Sequence, residues 1–95
     1  MTRHAFLITI DTEGDNLWRN HRSITTENTG YLPRFQDLCE RYGFKPTWLT
    51  NYEMAMDPAF VEFGKDVIAR KQGEIGMHLH AWNSPPEAPL TDDDW

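Results

Sequence analysis

Two glycines punctuate this chain and constrain its fold more than any other feature. Gly43 and Gly73 each end a segment of helical periodicity, and each is followed by a short run rich in strand formers. The first segment, "YLPRFQDLCERYG", sets Leu32, Phe35, Leu38, Cys39 and Tyr42 at three- and four-residue spacing, the mark of an amphipathic helix stopped by glycine. The second, "DPAFVEFGKDVIARKQG", offers Asp57 as N-cap and Pro58 as first helical residue. Its predicted buried stripe is Phe60, Phe63, Gly64, Val67 and Ile68, and Arg70 and Lys71 fall in the last turn, where the helix dipole favours cations. The run after Gly43, "KPTWLTNY", predicts a strand over 46–51, and "EIGMHLH" after Gly73 predicts another over 74–80. A third apolar run, "AFLITI" at 5–10, precedes both helices and reads as a strand buried on both faces. The order β-α-β-α-β predicts an α/β fold with a parallel sheet and right-handed crossovers.

In such a sheet the C-terminal ends of all strands lie at one rim, where sites are built. Asp11 and Glu13 end the first strand, and His78 and His80 end the third. Strand parity puts Asp11 and Glu13 on one face, and likewise His78 and His80. The topology therefore brings together two pairs far apart in sequence. Two imidazoles and a carboxylate suit Zn²⁺ or a similar divalent ion and leave a coordination position open. The second carboxylate is then available as general base. Each pair alone has an ordinary reading as well, exposed histidines in one case and a strand-end turn at Gly14 in the other. His4 and His21 lack partners at metal spacing and read as structural or exposed. Trp82 and Trp18 read either as rim aromatics able to stack on a ligand or as packing residues. Two carboxylates at one rim would also serve glycoside hydrolysis, but that chemistry has no need of the histidines.

At 95 residues the chain is one domain or part of one. Its net charge of −6, with the basic residues scattered, argues against a nucleic-acid partner. The single cysteine, Cys39, allows no intrachain disulfide and is expected to be a buried thiol. No apolar run approaches the roughly 20 residues of a membrane span, and "MTRHAFLITID" is unlike a signal peptide. A cytoplasmic location is the expectation.

The motifs carry a resemblance. "TIDTEG" resembles the first motif of the polysaccharide deacetylases (the NodB-homology superfamily, carbohydrate esterase family 4), which reads TFDDG. "PTWLTNYEMA" is similar to the PATFFL segment that follows in those enzymes, and "GEIGMHLHAW" to their second motif, an EIG strand leading to two histidines. The likeness runs in order over residues 5 to 82 and is greatest to the branch associated with lipopolysaccharide and O-antigen biosynthesis. It implies a distorted (β/α) barrel of about seven strands that removes N- or O-acetyl groups from a carbohydrate with a divalent metal ion, zinc foremost. It implies Asp11 as catalytic base and His78 as a metal ligand. Where the family carries its metal-binding acid this chain has Thr12, with Glu13 next. Where the family carries its second histidine it has Trp82, with His80 the available substitute. Shared faces make a rearranged Asp11, Glu13, His78, His80 site consistent. The family's Arg-Pro-Tyr, Asp-Trp and general-acid histidine motifs lie further downstream, so residues 1–95 are expected to be the N-terminal part of a longer domain. Three strands cannot close a barrel, so self-association through open edges is expected. The alternative is a non-catalytic α/β binding or assembly module that keeps a vestigial site.

Overall fold

The computed structural model describes residues 2–19 and 23–94; His21 lies outside the described residues. Three parallel strands form one sheet in the order β1 (Thr9–Thr12), β2 (Thr47–Thr50), β3 (Glu74–Met77). Helix α1 (Leu32–Arg41) connects β1 to β2, and the short α2 (Tyr52–Ala55) and longer α3 (Pro58–Ala69) connect β2 to β3. The predicted α/β order and parallel pairing are thus those of the molecule.

Register builds the core. Ile10, Trp48 and Ile75 lie side by side across the sheet, and Leu32 of α1, Met54 of α2 and Phe60 and Phe63 of α3 pack on that row. All three helices therefore cover one face, as same-handed crossovers require. The opposite face carries Thr9, Asp11, Thr47, Leu49, Glu74 and Gly76, none of them buried. Trp48, 1% exposed, is the keystone: Phe63 and Phe35 meet its ring edge to face at 5.2 and 6.0 Å.

Asp57 is the N-cap of α3, accepting from the Ala59 N–H, with Pro58 in the first helical position as expected. The helix stops at Ala69. Arg70 is its C-cap and Lys71 takes a left-handed φ of 56°, so these two residues terminate the helix instead of forming its last turn. Cys39 is buried and burial pushes its thiol up from the ordinary value.

Several expectations need correction. The strand begins only at Thr9, with the Ile8 carbonyl accepting from the Thr47 N–H, and Phe6 and Leu7 are 73% and 79% exposed. β1 is not buried on both faces either: the helices cover only the face that carries Ile10, and Thr9 and Asp11 on the other face are exposed. In α1 the inward line is Leu32, Gln36 and Cys39; Phe35 touches Trp48 from the margin of the core while still 39% exposed, and Leu38 and Tyr42 turn outward. Gln36 can be buried because all its needs are met: Trp48 Nε1 donates to its Oε1, and its Nε2 donates to the Gln72 carbonyl and to Glu40. Ile68 also faces outward, since β3 is the other edge and nothing lies beyond it among the described residues. No helix of the described residues is long and apolar enough to cross a membrane.

Candidate metal centre

The site begins with the parity of β1. Thr12 turns to the helix-covered side, 3% exposed, and its hydroxyl donates to the Ile10 carbonyl. Asp11 and Glu13 turn to the other side. On β3 the same alternation exposes Met77 and Leu79, at 78% and 65%, and shelters His78 and His80, whose side chains are 23% and 10% exposed. The backbone N–H of His78 still donates to the Thr50 carbonyl, so the histidines leave the sheet at its rim, just beyond β3 and not inside a longer strand.

The two pairs converge. Glu13 Oε1 lies 3.5 Å from His78 Nε2 and 3.2 Å from His80 Nε2. One donor atom from each of Glu13, His78 and His80 can be chosen so that all lie within 4.8 Å of one another, the spread of ligands around one cation. Asp11 stands behind His78, its Oδ1 3.3 Å from His78 Nδ1. A carboxylate at one ring nitrogen fixes the tautomer and turns the other nitrogen toward a metal. Thr12 is turned away from this cluster, toward the helix-covered face.

Aromatic rings wall one side. Trp82 stacks on the His80 ring at 4.9 Å and 9°, and Trp18 meets His80 and Trp82 edge-on at 5.5 and 5.7 Å. Trp82 thus buttresses the histidine two residues before it. Trp18 is 59% exposed, so a flat apolar surface borders the polar centre.

A second layer holds the loops and was not read from the sequence. Glu53 of α2 accepts from the Gly14 N–H at 2.8 Å and from Asn83 Nδ2 at 2.8 Å, tying the exit of β1 to the segment after β3. Asn28 Nδ2 donates to the Glu13 carbonyl at 2.6 Å. Asp15 accepts from the N–H groups of Glu27 and Asn28 and from the Thr25 hydroxyl, folding the loop back beside β1 and opening the 3₁₀ turn at Glu27–Tyr31. The available signal was the run of acids, "DTEGD", continuing past Glu13, and an acid two residues into the rim in "TNYEM". Gly14 permits this closure. A Cβ there would come within 2.2 Å of Ile24 Cγ2 and 2.9 Å of the Thr25 carbonyl oxygen.

No protein-family model, no curated protein and no solved structure matches the chain in the three comparisons made.

Proposed function

We propose that this chain carries the metal-binding half of a hydrolase that removes an acetyl group from a carbohydrate of lipopolysaccharide, O-antigen or another surface polysaccharide. The observation that supports it is the convergence of Glu13, His78 and His80, with Asp11 on the far nitrogen of His78. The donor set fits a divalent ion, zinc foremost: two imidazoles and one carboxylate, sheltered yet reachable from the rim. When bound, such an ion supplies Lewis-acid polarisation of a carbonyl and acidifies water.

The chain's own residues have distinct tasks in this reading. Glu13, His78 and His80 hold the cation. Asp11, with its side chain 66% exposed, takes the proton from the attacking water and keeps His78 in the required tautomer. Trp18 and Trp82 offer ring faces to the apolar face of a sugar, orienting its acetyl group toward the carboxylate. The open three-stranded sheet supports the further reading that residues 1–95 form the first part of a (β/α) barrel, and that without the remainder the chain associates with itself.

The test is acetate release from N- and O-acetylated oligosaccharides by the longest natural protein that contains these residues. Zinc-dependent release, abolished by Asp11→Asn, is expected. Cleavage of the glycosidic bond with the acetyl group retained would contradict the proposal and favour carboxylate-based glycoside hydrolysis.

A further inference from the structure

The central strand also reaches the rim, and the residue it delivers is Asn51. Thr12, Thr50 and Met77 stand side by side across the sheet, so one step further places Asn51 in the same rank as Glu13 and His78. Its backbone is extended and its N–H donates to the Thr12 carbonyl, which holds that register past the end of β2. It is 1% exposed, and both its Oδ1 and its Nδ2 lack a hydrogen-bond partner among the described residues. An asparagine that precedes a helix ordinarily caps it, yet this side chain makes no cap bond to α2.

That condition is unusual within this molecule. The buried hydroxyls of Thr12 and Thr50 donate to carbonyls two residues back. The other fully buried amide, Gln36, has partners on both its atoms. Among the described residues, the other buried side-chain atoms without a partner are Asn28 Oδ1 and His80 Nδ1. Asn28 is bonded to the Glu13 carbonyl and His80 faces the Glu13 carboxylate, so the unmet polar demand surrounds a single centre. Buried polar groups left unpaired are costly, and where a native fold keeps them a ligand or ordered water commonly supplies the partner.

We infer that Asn51 is a positioning residue of the metal centre, its carboxamide directed at groups that arrive with the ion. The inference rests on the metal reading above. A carboxamide can donate and accept at once, which suits it to a water or an oxygen ligand between Glu13 and His78. It predicts opposite effects in the two states of the protein. Without metal, replacing the amide by an apolar isostere removes two unpaired groups and should not destabilise. With metal, it removes a supporting contact of the kind that changes affinity by about 10- to 100-fold.

The experiment compares wild type, Asn51→Leu, Asn51→Ala and His80→Ala, measuring Zn²⁺ affinity by competition with a chromophoric chelator and thermal unfolding in excess chelator. Expected for Asn51→Leu is an unchanged or raised unfolding midpoint without metal and a Kd for Zn²⁺ raised by about 10- to 100-fold. A Kd within about twofold of wild type, well short of that range, overturns the inference. So does loss of folding without metal in both Asn51→Leu and Asn51→Ala, which would make the amide a structural group. His80→Ala separates the two levels. If it abolishes binding while Asn51→Leu does not, only the role of Asn51 fails. If wild type binds no Zn²⁺, or His80→Ala binds it as well as wild type, the metal reading fails and takes Asn51 with it.

Discussion

Glu13 owes its place to contacts that its own carboxylate does not make. Asn28 holds its carbonyl, Glu53 holds the next N–H, and Gly14 leaves room for both loops to close. Gly14→Ala should therefore damage the site without altering a ligand. The methyl must displace the Ile24 side chain, the Glu53 side chain and the Thr25 carbonyl together, an overpacking that costs about 1–3 kcal/mol, to be read from urea unfolding of the metal-free protein. Unchanged stability would show that the loop accommodates a side chain there. At this scale the sequence was readable wherever strand parity governs. Alternation alone separates Asp11 and Glu13 from Thr12, and His78 and His80 from Met77 and Leu79. What alternation does not encode is the partner of a polar side chain. Glu53, Asn28 and Asn51 matter through contacts between segments distant in sequence, and Gln36 sits where periodicity favours an apolar residue because Trp48 requires an acceptor.

The elements differ in how much of their stability is local. α3 carries its own start signal. Asp57 caps it and also accepts from the Thr29 hydroxyl at 2.7 Å, joining the helix to the 3₁₀ turn that precedes α1. The Thr29 hydroxyl, and then the cap N–H groups, hold the Asp57 carboxyl below its ordinary value. A depressed carboxyl contributes stability that is present above its unfolded pKa of about 4 and is lost as pH falls through the lower folded value. Asp57→Ala should cost about 1–2 kcal/mol at neutral pH, and the gap between variant and wild type should narrow in urea titrations toward pH 3 and below. A gap independent of pH would remove the ionised cap from the account. The cap was visible in "DP", whereas α2, at four residues, is too short to show a period. β1 was misread for a related reason. Its apolar run reads as a strand covered on both faces, and only the packing shows that helices cover the Ile10 face alone.

At the scale of the molecule, the described residues form a sheet covered by helices on one side and open on both edges. The radius of gyration is 15.2 Å, against about 12 Å for a compact domain of this length. The shape is a slab whose shortest dimension is 21 Å, as expected for one sheet under one layer of helices. Exposed apolar side chains collect along α1 and its two ends, at Tyr31, Leu38 and Tyr42, and beside β3, at Ile68 and Met77. Monomeric domains rarely leave such surface bare. Sedimentation velocity of the 95-residue chain should accordingly show concentration-dependent association, reduced by Met77→Lys at the β3 edge. A single monomeric species at all concentrations would count against association through the open sheet.

The most direct test of the account is the stoichiometry of divalent metal on the purified protein, by elemental analysis after exposure to Zn²⁺ and removal of unbound ion. One equivalent is expected, retained by Trp18→Ala and lost in both His78→Ala and His80→Ala. Wild-type protein without bound metal at any pH from 6 to 8, or retention of the full equivalent by both histidine variants, would contradict a metal centre built from Glu13, His78 and His80.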